Sequence, residues 1–340
     1  MRLTLYALLV LVCAADARGT TLLYASPYAP THPFSIADRA WINWVQEHSA
    51  GELHIVPIWS GALLSSDQSM LELRHGVADI GLITPIYVRG GAQLLRAQTG
   101  FYDGAQTFVQ QVAMYRCLAA ATPEFARELD GLTVLAVQGG TLPGIITRTR
   151  RIDHLEDLRG LRIRGPTELI GLLRELGADP VDMPMGDVYS ALAKGVLDGV
   201  VAPADTLRSL HFADVARYFW QLQVPRGAYP ARAIATRRWL TLSAAEQALL
   251  SAATPVWEQA LAEQTQLAVK SGEDTGRQQG VEFVGVTPQQ QAKFDELYQR
   301  DAERNAESLS RYDIAALPTL QLARRITDGI RQTGTVSCAR

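Results

Sequence analysis

Apolar and polar positions divide this chain into short strands and amphipathic helices. Residues 21–24 form an apolar run that predicts a first strand, and the stretch Pro27-Tyr28-Ala29-Pro30-Thr31-His32-Pro33 breaks it into a loop. From 36 to 48 apolar residues recur at helical spacing, with Trp41, Trp44 and Val45 on one face. Residues 53–57 alternate as a second strand; 67–74 predict a helix stopped by Gly76; 80–84 predict a buried strand. The second half repeats the plan, with strands at 161–164, 181–183 and 200–202. Helices lie between them at 166–176 and 187–194, ended by Gly177 and Gly195. Strands alternating with helices predict an α/β architecture built on sheets.

One internal echo supports two similar lobes. His75-Gly76-Val77-Ala78-Asp79 opens one strand, and Lys194-Gly195-Val196-Leu197-Asp198 opens another. Asp79 and Asp198 read as turn residues that bond backbone through their side chains, not as catalytic groups. Residues 243–280 predict a long helix, kinked or restarted at Pro255, that can run across both lobes. Further helices are predicted at 289–310 and 318–331. No low-complexity linker appears, so the lobes should be joined by strands that cross twice or more.

Length sharpens this picture: 340 residues exceed the roughly 250–300 at which single cores stop growing. The first 17 residues stand apart. Arg2 precedes an apolar run over 3–15, and Ala15-Asp16-Ala17 is a small-x-small cleavage pattern. The run is shorter than the about 20 residues a bilayer span needs. A cleaved signal peptide over 1–17 is expected, hence a periplasmic mature protein. Cleavage leaves Cys117 and Cys338, which an oxidising compartment permits to pair. The net charge of −3, without a basic stripe, argues against nucleic acid as a partner.

Motifs for nucleotide, acyl-transfer, zinc-protease and calcium chemistry are absent, and the 6 histidines show no HxH or HxxxH pairing. No metal, cofactor or catalytic set is expected. The informative segment is 155–203, which reads LEDLRGLRIRGP and later LGADPVDMPMGDVYSALAKGVLDGVVAP. Asp157-Leu158-Arg159-Gly160-Leu161-Arg162-Ile163-Arg164, then Gly177-Ala178-Asp179-Pro180, Asp187-Val188-Tyr189 and Asp198-Gly199 resemble the DctP-type substrate-binding proteins of TRAP (tripartite ATP-independent periplasmic) transporters. Pro27 to Pro33, Gly51-Glu52-Leu53-His54-Ile55 and Gly76-Val77-Ala78-Asp79-Ile80 are similar to that family's opening lobe, in the right order along nearly the whole mature chain.

The resemblance implies two α/β lobes, a ligand cleft between them and a long helix spanning both. It implies capture of a small organic anion and delivery to the membrane subunits of a TRAP transporter. It also gives Arg164 the role of pairing with the ligand carboxylate. The residues agree: Arg164 ends a short strand, where ligands of open α/β sheets bind, and a guanidinium fork holds a carboxylate by two parallel bonds. Arg159 and Arg162 read as surface residues, Trp59 and Trp239 as packing. Tyr28, His32 and Tyr87 follow strands and are placed to face the cleft, each equally readable as an ordinary aromatic. Asp205, just after Pro203, is placed to orient Arg164 or a ligand group. Lobe I is expected over 18–140 and 231–270, lobe II over 141–230 and 271–340. Two departures from the family pattern, apolar Val200-Val201-Ala202 and Gly144 where some members carry arginine, argue against a sialic-acid-like ligand. A monocarboxylate, dicarboxylate or aromatic acid stays open. The alternatives are an exported two-lobed enzyme acting on a small carboxylate, and a ligand-sensing module docking on a receptor.

Overall fold

The computed structural model describes residues 19–338; the expected leader over 1–17 lies outside the described residues. In chain order the strands are β1 (Thr20–Ala25), β2 (Leu53–Ile58), β3 (Ile80–Leu82), β4 (Leu132–Gln138), β5 (Gly144–Thr147), β6 (Arg162–Arg164), β7 (Asp179–Val181), β8 (Gly199–Ala202), β9 (Tyr218–Trp220), β10 (Tyr229–Ala235) and β11 (Glu282–Val284). They build a 5-stranded sheet, β2-β1-β3-β10-β4, and a 6-stranded sheet, β11-β9-β5-β8-β6-β7. β1 runs parallel to β2 and β3, while β10 is antiparallel to both its neighbours. In the second sheet β6 is parallel to β7 and β8, and β5 is antiparallel to β8 and β9.

Each sheet is covered on both faces, and the period of 2 along a strand sends neighbours into opposite cores. Tyr24 packs with Trp41 and Trp257 on one side of the first sheet; Ala25 joins Met70, Leu118 and Leu320 on the other. In the second sheet Ile145 and Ile146 divide in the same way. The chain passes between sheets at 139–143 and 221–228, and Val224 N donates to Pro143 O at 3.0 Å, tying the two crossings together.

The echoed segments fold alike. Gly76 (φ 76°) and Gly195 (φ 69°) end their helices in the left-handed conformation that glycine adopts without strain. Asp79 Oδ2 then accepts the Leu23 N–H at 2.8 Å, and Asp198 Oδ2 accepts the Arg162 N–H at 2.9 Å. Both aspartates satisfy a backbone donor on the neighbouring strand.

The long helical segment is two helices, Ala244–Ala252 and Thr254–Gln278, with Pro255 in the first turn of the second, where its missing N–H costs nothing. The second, about 37 Å long by its rise of 1.5 Å per residue, is the shared spine. Its first half packs Trp257 and Leu261 into the first lobe. Its second half lies on the Thr206–Ser209 helix, where a Cβ at Gly272 would fall 2.2 Å from Ala204 O. The helix Pro288–Ser308 also crosses. Phe294, Leu297 and Tyr298 belong to the second lobe's core, Ala302 and Ala306 to the first lobe's. The helix Leu317–Thr333 packs wholly on the first lobe, so the expected grouping of 271–340 with lobe II does not hold for the tail. Its amphipathic face, Leu320, Ala323, Ile326 and Ile330, finds the apolar surface left open by the Phe108–Ala121 helix. Cys117 of that helix is joined to Cys338 by a disulfide, with Cα atoms 5.2 Å apart.

Candidate ligand-binding site

The carboxyl ends of β1, β3, β6 and β8 point into the gap between the sheets, so their following loops meet there. They enclose two adjoining compartments, of about 80 Å³ and about 70 Å³. Tyr87, Arg226 and Tyr229 line both. Arg164 and Glu168 line the first compartment; Tyr28, His32 and Asp205 line the second. All 5 residues expected from the sequence therefore lie on one cavity system, together with three that sequence reasoning missed: Glu168, Arg226 and Tyr229.

Arg164 is 2% exposed. Its Nε donates to Met183 O at 2.9 Å and its Nη2 to the Tyr87 hydroxyl at 3.1 Å. The Nε bond fixes the plane of the guanidinium and leaves Nη1 and one Nη2 hydrogen for a planar anion. Tyr87 accepts from Arg164, so its own proton is free to donate into the cavity. The expected pairing of Asp205 with Arg164 is not formed. Asp205 accepts from Ser209 Oγ at 3.2 Å in the other compartment. Burial pushes the Asp205 carboxyl up to about 6, with Arg226 pulling the other way.

Arg226 enters the cavity from the 221–228 crossing. Room for it depends on Gly140 of the other crossing, where a Cβ would fall 2.5 Å from the Arg226 Cζ. Gln111 holds that glycine in place by accepting its N–H at 2.8 Å. Tyr229, the first residue of β10, accepts from Gln138 Nε2 at 2.9 Å. Gln138 in turn accepts from Arg232, whose Nε donates to Asp38 Oδ1 at 2.9 Å. A fully buried ion pair of the first lobe thus supports the cavity wall through two side chains.

His32 is buried as the N-cap of the helix Pro33–His48, its Nδ1 accepting the Phe34 N–H at 3.2 Å. It stacks on Tyr28 with ring centroids 4.1 Å apart. Burial pulls its pKa down to about 3, and the nearby Arg232 adds to the effect, so it stays neutral. Burial likewise raises Tyr28 and Tyr229 well above and above the usual phenol value, keeping both as neutral hydroxyls. Arg162 pairs with Asp198 on the surface and Trp59 packs edge-on against Tyr24, both away from the cavity. A larger open groove of about 450 Å³, lined by Gln106, Gln110, Gln223 and Gln291, holds one guanidinium, Arg331, already paired with Asp103 and Asp328.

Chemically, the cavity offers two guanidiniums, Arg164 and Arg226, that form no salt bridge among the described residues, beside neutral hydroxyls and apolar walls from Ile86, Met185, Val201 and Val224. It offers binding groups for an anion and no assembled nucleophile–base pair. Two α/β lobes facing each other across such a cavity define a binding protein of the two-lobed kind. The chain belongs to the bacterial extracellular solute-binding protein family 7, DctP, whose profile matches residues 25–308.

Solved structures agree in fold. A TRAP solute-binding protein from Rhodoferax ferrireducens, in complex with copurified benzoate, superposes with a TM-score of 0.81 at 20% identity, covering 93% of this chain and 100% of that one. One from Bordetella bronchiseptica with bound (R)- and (S)-mandelate gives 0.80 at 18%, covering 92% and 99%. One from a Sulfitobacter species with bound β-D-galacturonate gives 0.75 at 17%, covering 90% and 100%. Among curated relatives, a solute-binding protein of Albidiferax ferrireducens is 22% identical over 51% of this chain and 51% of its own length. One of Roseobacter denitrificans is 32% identical over 42% and 45%. The chain spans about half the length of the curated relatives it matches. Among the described residues no helix is long and apolar enough to cross a membrane.

Proposed function

We propose that this protein captures a small organic monocarboxylate between its lobes and delivers it to the membrane subunits of a TRAP transporter. One observation carries the reading: Arg164 and Arg226 share a cavity and neither is neutralised by a protein carboxylate within ion-pair reach. A buried guanidinium with no carboxylate in contact is poorly compensated, and a ligand carboxylate that bonds it directly supplies that contact. The two adjoining compartments together offer about the 150 Å³ that takes a benzene ring, and the walls of the first are mostly apolar. A compact acid with an apolar or aromatic body fits them better than a polyol acid. The benzoate and mandelate held by proteins of the same fold support that choice. Export through cleavage after Ala17, giving a mature N-terminus near Arg18, belongs to the same reading.

Native mass spectrometry of the protein from its host, searching for a co-purified acid, identifies the ligand. Calorimetry with that acid, or with benzoate and mandelate, then tests Arg164. Arg164→Ala should lose about 2–5 kcal/mol of binding, roughly 30-fold to several thousand-fold in affinity. Arg164→Lys should also weaken binding, because a point charge cannot reproduce the fork. Wild-type affinity in either variant removes Arg164 from the site; turnover of the acid on incubation would favour the enzyme alternative.

A further inference from the structure

Charge in the cavity is balanced before any ligand is counted. Its walls carry two arginines, Arg164 and Arg226, and two carboxyl groups, Glu168 and Asp205. If both acids are ionised, an incoming carboxylate enters as an uncompensated negative charge in a space with little water, which is unfavourable. An anion is accommodated when one wall acid becomes neutral.

Glu168, in the turn Thr167–Leu169 just after β6, is placed for that role. It shares the compartment of Arg164, yet no salt bridge joins them. Its Oε2 is buried and has no hydrogen-bond partner. Most neighbouring polar groups bond elsewhere, although Arg96 Nε is also buried without a partner. The Thr99 hydroxyl donates to Arg96 O at 2.6 Å, and Arg96 Nη1 to Val88 O at 2.9 Å. Asp182 accepts from Thr167 at 2.8 Å; Glu175 pairs with Arg300 and Arg304; Asp301 takes Arg304 and Asn305. Asn305 Nδ2 gives its other bond to the Glu168 backbone oxygen, and the buried Tyr298 hydroxyl is itself without a partner. An ionised Glu168 has an oxygen that nothing solvates, whereas a neutral Glu168 has a proton to donate to a ligand oxygen.

We propose that Glu168 contacts the ligand and takes up a proton as the acid enters, so that anion capture is linked to proton uptake; this rests on the carboxylate reading above. Burial already pushes its carboxyl up to about 7, against its own backbone N–H, the Thr99 hydroxyl and Arg164, which pull it down, and with Asp182 adding to the rise. A second carboxylate in the same compartment raises it further. Asp205 lies in the other compartment and keeps the Ser209 bond, so it is the lesser acceptor.

Calorimetry with benzoate and with mandelate, at pH 8 in buffers of different ionisation enthalpy, counts the protons. The wild type should take up nearly one proton per acid bound, and its affinity should fall by up to about tenfold per pH unit between 7 and 9. Glu168→Gln should remove most of the uptake and flatten the profile. Binding by the wild type without uptake, or a variant that keeps the wild-type profile, overturns the proposal while leaving Arg164 as the anion site. If neither acid binds even at pH 6, the choice of ligand class in the functional reading fails instead. Carbon-13 NMR of the glutamate-labelled free protein then decides, with Glu168→Gln assigning the signal. A midpoint near 7 supports the proposal, and one in the ordinary carboxylate range overturns it.

Discussion

The guanidinium of Arg164 and the hydroxyl of Tyr87 meet at 3.1 Å across the boundary between the two sheets. One ends the second sheet's β6, the other follows the first sheet's β3. The same Arg164 lies 5.5 Å from the centre of the Tyr87 ring. A cation held by backbone in one lobe is thus met by a donor-acceptor group of the other, and a carboxylate placed there touches both.

Tyr87→Phe should therefore weaken carboxylate binding even though it removes no charge. A net hydrogen bond is worth about 0.5–1.5 kcal/mol, so the loss should be roughly 2- to 13-fold. Calorimetry on the folded variant measures it. An unchanged affinity would mean that the tyrosine only packs.

Asp38 holds the first lobe's interior together. It accepts from Arg232 Nε at 2.9 Å, Trp257 Nε1 at 2.8 Å and the Tyr24 hydroxyl at 2.5 Å, with both charged side chains fully buried. Asp38→Asn leaves the Arg232 charge in the core without a counter-charge. The expected cost is about 3–5 kcal/mol, read by urea denaturation followed through tryptophan fluorescence. A loss below 1 kcal/mol would show that Gln138 alone sustains Arg232.

His32 gives the fold an acid-side dependence. The unfolded chain protonates this residue near pH 6.5, the folded one only near 3. Between those values the unfolded state binds more protons. The stability supplied by neutral His32 is therefore complete above about pH 6.5. It is lost as pH falls toward 3, by up to about 1.4 kcal/mol per unit. His32→Asn keeps an N-cap acceptor and should flatten this part of the curve. Denaturant melts at pH 7, 6 and 5 test it, and an identical slope in both proteins would refute it.

Gly272 sets how closely the spine helix approaches the second lobe. A methyl group there meets backbone, Ala204 O at 2.2 Å and Asp205 Cα at 2.7 Å, neither of which can swing away. Gly272→Ala should destabilise by about 1–3 kcal/mol despite the better helix propensity of alanine. A thermal melt showing stabilisation would mean that the helix slides without cost.

Much of this was readable because particular residues carry local signals. Gly76 and Gly195 mark helix ends by their left-handed backbone, and Asp79 and Asp198 repeat one strand contact in both lobes. Arg164 was readable from its place at the end of a short strand. The helix Phe108–Ala121 was not, because its apolar residues lie all round the axis and show no face. Nor were β4, β5, β9 and β10, which carry the crossings; β10 is buried along its whole length and does not alternate. Arg226 escaped as well, for a reason of its own. What places it is the absence of a side chain at Gly140, far away in the chain, and no local pattern records that. Glu168 sits in plain view four residues after Arg164, but its buried, unpartnered oxygen exists only once the Pro288–Ser308 helix is folded over it.

The disulfide between Cys117 and Cys338 closes a ring over 221 positions of sequence, and the whole second sheet is strung on that ring. A protease that nicks any surface loop of the second lobe therefore releases nothing. The two fragments stay covalently joined, run as one species on a non-reducing gel, and separate only when a thiol reagent opens the ring.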